Sequence, residues 1–179
     1  IFFVYKKNKS KLKYNRNYEL AIKCTKHRGP DNTSYKYLKN SFLGHNRLSI
    51  IDTKLRSNQP FVFKNLSIIF NGEIFNYIEL KKKLLKKGYK FSTSSDTEVL
   101  LKAYHLWGKK VFEKLNGMWS LVIFDSLKKK ITVSRDRFGI KPLFYFKDED
   151  NYYFSSEINQ LLKITKFKMD ENYIQKFLK

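Results

Sequence analysis

The spacing of apolar residues changes along the chain and predicts strands near both ends with helices between them. Short runs rich in β-branched and aromatic residues are typical of strands, and residues 41–52 form an extended segment in which Arg47 stands among apolar neighbours. In the second half, turn-forming residues separate the runs, which indicates an antiparallel sheet. Strands are predicted at residues 1–5, 61–64, 66–70, 118–124, 130–134, 142–146 and 152–155.

Apolar residues that recur every three or four positions predict the helices. The first, at residues 18–27, should turn Leu20 and Cys24 inward and end where Pro30 disfavours helix at Gly29. The second begins after Asn76 and stops at Gly88. Its inward face is predicted to consist of Tyr77, Leu80, Leu84 and Leu85.

A third helix follows the pattern of a capping box, with Ser95 as N-cap and Glu98 three residues later. Gly108 should end this helix, and shorter helices are expected at residues 157–162 and 170–178. The last of these has no evident sheet partner, so it is interpreted as the start of a further segment. The third helix carries an apolar stripe that is assigned to the core, comprising Val99, Leu100, Ala103, Tyr104 and Trp107.

The segment at residues 71–77, Asn-Gly-Glu-Ile-Phe-Asn-Tyr, is the first candidate for chemistry. It is interpreted as the end of a strand, a tight turn and the start of a helix. At such a corner the Asn71 amide and the unobstructed N–H of Gly72 can point to one spot, which suits a developing oxyanion. The structural alternative is that Asn-Gly is simply a favoured turn dipeptide.

Charged residues near these segments are further candidates. An arginine in an apolar segment needs a carboxylate partner, so Arg47 predicts either a structural ion pair or a ligand carboxylate. Asp96 lies in the first turn of a predicted helix, where the helix dipole favours a carboxylate whatever its function. The charged loop at residues 135–142 is also consistent with a salt-bridged surface turn.

The formal charge of +21 suggests nucleic-acid binding, but the composition argues against it. Only six of the 37 basic residues are arginines, whereas nucleic-acid readers rely on arginine for bidentate contacts. The 31 lysines are spread over predicted solvent faces. A nucleic-acid-binding module therefore remains an alternative, not the preferred interpretation.

A single cysteine, Cys24, excludes an internal disulfide framework and favours a reducing compartment, so a cytoplasmic location is expected. No apolar run approaches the roughly 20 residues of a membrane span. The histidines His27, His45 and His105 are scattered, so no metal site is predicted.

Six ordered motifs together resemble the glutaminase domain of glutamine-hydrolysing asparagine synthetases. The resemblance covers residues 1–165, and the remaining residues 166–179 are interpreted as the start of a linker or synthetase domain. Related class II glutamine amidotransferases share the Asn-Gly pair, but Glu73 and the segments 74–77 and 139–142 favour the asparagine synthetase branch. The motifs occupy residues 28–31, 44–52, 71–77, 95–99, 115–118 and 135–143.

The resemblance implies an α+β fold of the N-terminal-nucleophile hydrolase type, an αββα sandwich of two antiparallel sheets between helical layers. It implies that Arg47 holds the α-carboxylate of glutamine and that Glu73 and Asp96 hold its ammonium group. Asn71 and the N–H of Gly72 would form the oxyanion hole, and the backbone of Ile50 and Ile51 would line the pocket. These roles match the chemistry of each group.

The resemblance also implies groups that the printed sequence lacks. In the family an N-terminal cysteine, two residues ahead of the equivalent of Ile1, attacks glutamine, with its own α-amine as base. Cys24 is interpreted as a buried inert thiol that cannot replace it. The chain is therefore read as an inactive internal fragment of a larger enzyme.

The expected parent enzyme uses the released ammonia to amidate aspartate. Its C-terminal synthetase domain is the expected partner and should bind ATP and Mg²⁺, whereas the present domain needs no cofactor. Homodimer formation is compatible with the resemblance. An alternative within the enzyme class is an amidotransferase that acts on a sugar or peptide carboxylate.

Overall fold

The computed structural model describes residues 1–7 and 12–165, which form two antiparallel sheets with helices on their outer faces. The strands are β1 (Phe2–Lys6), β2 (Asn32–Leu38), β3 (Ser41–Arg47), β4 (Phe61–Phe63), β5 (Leu66–Ile74), β6 (Gly117–Asp125), β7 (Lys130–Arg135), β8 (Phe144–Lys147) and β9 (Asn151–Ser155). The helices are α1 (Arg16–Lys23), α2 (Tyr77–Lys86), α3 (Asp96–Trp107) and α4 (Ile158–Leu162). Short 3₁₀ turns lie at Lys26–Arg28, Leu55–Ser57 and Gly108–Lys114.

The two sheets pack face to face and confirm the predicted α+β sandwich. Within the described residues, one sheet has the strand order β2-β3-β1-β9-β8 and the other has the order β4-β5-β6-β7. Apolar clusters fill three layers: between α1 and the first sheet, between the sheets, and between the second sheet and α2 and α3. The layer between the sheets contains Ile1, Phe3, Leu43, Ile69, Val122 and Phe124.

The two-residue period of the strands decides which side chains enter the space between the sheets. Leu43 and Ile69 contribute to the apolar cluster there, so every second residue beyond them faces the same layer. Towards the end of β3 and of β5 this layer changes from apolar to polar. The polar residues that follow in register are His45, Arg47, Asn71 and Glu73.

β5 does not end in a tight turn at Asn71 and Gly72, so that prediction is wrong. Both residues lie inside the strand, where Asn71 pairs with Ser120 and Gly72 with Trp119. Gly72 adopts a φ of 156°, and a Cβ atom there would collide with the carbonyl oxygen of Met118. The glycine therefore allows close approach of β6, and the chain turns only after Ile74.

The first helix differs from the prediction in its start and in its inner face. Asn15 caps it by accepting a hydrogen bond from the N–H of Asn17 at 2.9 Å, so α1 begins two residues earlier than expected. Its buried face contains Tyr18, Ala21 and Ile22, whereas Leu20 is 39% exposed. Residues two apart lie on opposite sides of a helix, so Leu20 cannot share the face of Tyr18 and Ile22.

Three strand boundaries also differ from the prediction. β2 was not predicted, because it is an edge strand of alternating polar residues with little apolar signal. The extended segment 41–52 is a strand only as far as Arg47. β8 begins at Phe144 instead of Pro142, because proline cannot donate a ladder hydrogen bond.

The predictions for α2, α3 and α4 are confirmed in type and position, but Leu85, predicted on the inner face of α2, is 52% exposed. Ser95 is the N-cap of α3, but Glu98 does not complete a capping box. Its carboxylate instead accepts hydrogen bonds from the N–H groups of Ser92 and Thr93. The predicted helix at 170–178 lies outside the described residues. Of the helices the structure describes, none has the length and apolar character needed to cross a bilayer.

Candidate active site

The candidate site is a cleft of about 220 Å³ where the polar ends of β3 and β5 meet the N-terminus of α3. The structure brings together there every binding residue that the sequence predicted. Those residues are Arg47, Ile50, Ile51, Asn71, Gly72, Glu73 and Asp96.

Asn71 and Gly72 offer two hydrogen-bond donors on consecutive residues. The Nδ2 atom of Asn71 is buried and has no hydrogen-bond partner within the described residues. The N–H groups of Phe70 and Ile74 are bonded to side chains on the edge of β5 that faces away from β6. Because N–H directions alternate along a strand, the N–H of Gly72 lies on this same edge, beside the cleft.

Arg47 brings a buried cation to the cleft that no carboxylate neutralises among the described residues. It is 6% exposed, and its guanidinium donates to neutral oxygens only. These are the carbonyl oxygens of Ile51 at 3.3 Å, Asp52, and Lys54 at 3.0 Å, and the side-chain oxygen of Asn58 at 2.8 Å. Among the described residues Arg47 therefore has no structural ion pair, and its guanidinium holds the 51–58 loop.

Asp96 and Glu73 place two carboxylates in the cleft. Asp96 is 6% exposed, and burial raises the pKa of its carboxyl group from 3.8 to about 6, with a further upward contribution from the charge of Glu73. A hydrogen bond from the N–H of Ile74 to Asp96 Oδ2, at 3.1 Å, acts in the opposite direction. A bound cation would favour the ionised form of Asp96, so this corner of the cleft suits an ammonium group.

The loop that carries Ile50 and Ile51 is attached to the start of α3. Oδ2 of Asp52 accepts a hydrogen bond from the N–H of Ser94 at 2.7 Å. This bond is the largest of the contributions that lower the pKa of Asp52 to about 2. The loop thus stays anchored beside Asp96 at neutral pH.

The charged loop after β7 is a hydrogen-bonded turn and not the salt-bridged turn that the sequence allowed. The carboxylate of Asp136 accepts hydrogen bonds from the backbone N–H groups of Trp119, Phe138, Ile140 and Lys141, at 2.9 to 3.2 Å. Among these residues, Lys141 lines the cleft. Asp136 therefore holds the backbone at Lys141, a cleft-lining residue.

Cys24 is not part of the cleft. Its Sγ donates a hydrogen bond to the carbonyl oxygen of Ala21 at 3.2 Å, and burial raises the pKa of its thiol. It is only partly buried, so the expectation of a fully buried thiol is wrong. A raised pKa leaves little thiolate at neutral pH, which makes Cys24 a poor nucleophile.

The amino group of Ile1 lies close to the cleft. It donates a hydrogen bond to Ser156 Oγ at 2.9 Å, and burial together with the charge of Arg28 lowers its pKa to about 5. The same amino group contributes to lowering the pKa of His45. Since Arg28 and His45 both line the cleft, residues joined ahead of Ile1 can reach it.

His45 and Gln59 are two of the cleft residues that sequence reasoning did not assign. His45 is 6% exposed, and its Nε2 lies 3.1 Å from the carbonyl oxygen of Phe70. Gln59 is also 6% exposed and is bonded to the same carbonyl. The signal for His45 was its place in an apolar segment, two residues before Arg47. Gln59 lies in a loop with no such pattern.

The comparisons with known proteins agree with this geometry. A family model described as a glutamine amidotransferase domain matches residues 3–179. The chain belongs to this family. As an amidotransferase domain it is 41% identical, over 85% of its length, to glutamine-hydrolysing asparagine synthetase 1 of Bacillus subtilis. It is 37% identical, over 84% of its length, to a putative glutamine-hydrolysing asparagine synthetase of Methanocaldococcus jannaschii.

This amidotransferase domain spans 24% and 32% of the length of those two relatives. Solved structures show the same fold at lower sequence identity. The Bacillus subtilis glutamine phosphoribosylpyrophosphate amidotransferase, complexed with ADP and GMP, matches 91% of the chain with a TM-score of 0.75 and 22% identity. That match covers 43% of the solved chain. It confirms the predicted fold.

Proposed function

We propose that this amidotransferase domain binds glutamine in the cleft and hydrolyses its side-chain amide to glutamate and ammonia. The observation that carries the proposal is the pair of donors at Asn71 and Gly72. When a nucleophile adds to a carboxamide, negative charge develops on the amide oxygen. A buried amide without a partner and an adjacent strand-edge N–H can stabilise that charge without reorganising.

The charges in the cleft fit the two ionised groups of a free amino acid. Arg47 offers a cation for the α-carboxylate, while Glu73 and Asp96 offer carboxylates for the α-ammonium group. We assign the backbone of Ile50 and Ile51 to the wall of the pocket. A ligand lacking either ionised group would leave one of these protein charges without a partner.

The reaction also needs a nucleophile, and none of the described residues that line the cleft is a cysteine. We assign this role to an N-terminal cysteine joined to Ile1 through one residue. Two extended residues span about 7 Å, and the amino group of Ile1 already lies near Arg28 and His45 of the cleft. Such a link can bring the thiol to the cleft.

In the proposed reaction the cysteine's own α-amine accepts the thiol proton, since its ordinary pKa lies close to neutral pH. The thiolate adds to the carboxamide carbon, and the charge on oxygen is held by Asn71 and Gly72. The C–N bond then breaks as the amine returns the proton to the leaving nitrogen, which gives ammonia and a glutamyl thioester. Water cleaves the thioester to glutamate and restores the thiol.

For the whole protein we propose asparagine formation from aspartate with the released ammonia. The support is the names of the relatives, which are asparagine synthetases several times longer than this chain. Since the cleft of about 220 Å³ is assigned to glutamine, ATP needs another site. We therefore assign ATP and Mg²⁺ to a separate synthetase domain, and a cytoplasmic location to the protein.

The test uses the full-length protein and measures ammonia released from glutamine. Asn71→Ala should lower kcat about 10²- to 10³-fold with little change in KM, because it removes an oxyanion donor. Asn65→Ala is the matched control, since Asn65 lies in the turn between β4 and β5 and bonds Asp125 at the far end of β6. Equal activity in the two variants would overturn the proposal.

The acceptor is tested separately by supplying aspartate, glutamine and ATP. Asparagine, AMP and pyrophosphate are the expected products. Ammonia release without asparagine, or amidation of a sugar or peptide acid instead, would reject the acceptor assignment and leave the glutaminase assignment intact.

A further inference from the structure

Gln59 continues the strand ladder of β4 with its side chain. The backbone pairing of β4 with β5 covers Phe61–Phe63 against Leu66–Ile68 and no further. Two residues later, the N–H of Phe70 donates to Gln59 Oε1 at 2.6 Å. Gln59 Nε2 in turn donates to the carbonyl oxygen of Phe70 at 3.1 Å. The side-chain amide thus binds Phe70 as a neighbouring peptide group would.

His45 and Thr97 complete this arrangement. Nε2 of His45 lies 3.1 Å from the same carbonyl oxygen of Phe70 and must donate, because a carbonyl only accepts. Gln59 Nε2 also contacts Thr97 Oγ1 in α3, at 3.3 Å. The carbonyl of Phe70 therefore accepts hydrogen bonds from two buried side chains, His45 of β3 and Gln59 ahead of β4. Gln59 also connects this carbonyl to α3, the helix that carries Asp96.

The consequence concerns the residue that follows. The carbonyl of Phe70 and the backbone nitrogen of Asn71 belong to one planar peptide group, so fixing the carbonyl fixes the start of Asn71. Farther along the same edge, Asp96 holds the N–H of Ile74. On its edge that faces away from β6, the segment that contains Asn71 and Gly72 is thus held at both ends by side chains instead of by a neighbouring strand.

We propose that Gln59 is a positioning residue for the oxyanion donors of Asn71 and Gly72, and that His45 supports it through the carbonyl of Phe70. The inference rests on the proposed glutaminase function. A donor displaced by about 1 Å can cost on the order of 10²-fold in rate, so the precision of this edge matters for catalysis. Gln59 itself acts through Phe70 and not on the substrate.

The first experiment compares Gln59→Leu with wild type in the full-length protein. We expect kcat for glutamine hydrolysis to fall about 10- to 100-fold while KM changes little, because the displaced groups act mainly in the transition state. In an Asn71→Ala background the same substitution should lower kcat by a much smaller factor, since one of its targets is already gone. Asn65→Leu, at the other end of the β4–β5 hairpin, is the control and should leave kcat unchanged.

A second pair of variants covers the case in which Gln59→Leu does not fold. His45→Gln keeps an N–H donor for the Phe70 carbonyl, whereas His45→Leu removes it. We expect kcat to be substantially retained in His45→Gln and lost in His45→Leu, at equal folded fractions. Equal kcat in these two folded variants would overturn the role of His45.

Amide hydrogen exchange separates this inference from the proposed function. Gln59→Leu, or His45→Leu in its place, should speed exchange in a peptide covering residues 68–75 and leave the 61–67 peptide unchanged. If exchange does not change, or if Gln59→Leu lowers kcat by the same factor with and without Asn71, the positioning role is wrong. If exchange responds but wild type releases no ammonia, the geometric role holds and the glutaminase assignment fails.

Discussion

Oδ2 of Asp96 accepts a hydrogen bond from the backbone N–H of Ile74 at 3.1 Å, and this bond joins the start of α3 to the end of β5. The bond places a carboxylate at the cleft and keeps it largely out of water. Burial then raises the pKa of Asp96 to about 6, close enough to neutrality for its charge to depend on pH.

Glutamine binding should therefore weaken in mild acid. Below about pH 6 the free protein holds Asp96 protonated, whereas a bound ammonium group requires the carboxylate, so binding must release a proton. We expect KM for glutamine to rise by up to about tenfold per pH unit below pH 6. Asp96→Asn should raise KM at pH 7.5 and remove the rise of KM below pH 6. If KM still rises below pH 6 in Asp96→Asn, the assignment is contradicted.

An N-terminal cysteine should be necessary for activity, and Cys24 should not. The printed chain is expected to release no ammonia from glutamine, whereas a chain extended by Met-Cys-Gly ahead of Ile1, with Met removed, should release it under reducing conditions. Cys24→Ser should leave the activity of the extended chain unchanged, because Cys24 does not line the cleft. Loss of thioester formation in folded Cys24→Ser would instead identify Cys24 as the nucleophile.

The buried ion pair between Glu98 and Lys102 should be needed for stability. Lys102 Nζ lies 2.5 Å from Glu98 Oε1, and the side chains of Lys102 and Glu98 are 7% and 1% exposed. Lys102→Met leaves the Glu98 carboxylate buried without its cation and should lower the free energy of unfolding by about 3–5 kcal/mol. Urea unfolding at pH 7 measures this loss.

Two controls test the cause of that loss. The double variant Glu98→Gln with Lys102→Met removes both charges and should recover part of the stability. Lys82→Met, at an exposed position of α2, should change the unfolding free energy by less than about 0.5 kcal/mol. Equal losses for Lys102→Met and the double variant would show that the unpaired charge is not responsible.

Acid should destabilise the fold partly through His45. Burial lowers the pKa of His45 from 6.5 to about 3. Between these values the unfolded chain binds one more proton than the folded chain, so stability from this group rises with pH at about 1.4 kcal/mol per pH unit. Asp96 acts in the opposite direction between pH 3.8 and about 6, because its folded pKa is raised.

The measurement therefore uses the Asp96→Asn background. Urea unfolding from pH 3.5 to 6.5 should show a steep rise in stability with His45 present and a flatter one in His45→Gln. Identical slopes would mean that His45 is not kept neutral by the fold.

The strands and the cleft residues were predicted for different reasons, and the sandwich was implied by the family resemblance. Strands such as β6 and β9 carry strong apolar or aromatic signals, because both belong to the interior of a sheet. The cleft residues were located through motifs and not through periodicity. Asn71 shows the limit, since a local turn preference pointed away from the strand that tertiary pairing with Ser120 imposes.

The contacts of Gln59 could not be predicted in the same way. These contacts depend on where β4 begins and where Phe70 lies, and both are set by pairing between strands. Leu20 was misplaced for a simpler reason, because the cap at Asn15 decides where the turns of α1 begin. Errors of the kind seen for Gln59 arise wherever a residue's environment is created by distant parts of the chain.

The placement of β1 in the sheet has a consequence for synthesis of the protein. β1 lies between β3 and β9, so the first strand of this domain is completed by the last of its described strands, with Phe2 opposite Ser155. During translation β1 can pair on one side with β3 early, but its other edge stays open until β9 leaves the ribosome. We therefore expect nascent chains that stop before β9 to remain protease-sensitive, and the amino end beside the cleft to become fixed only when the whole sheet is closed.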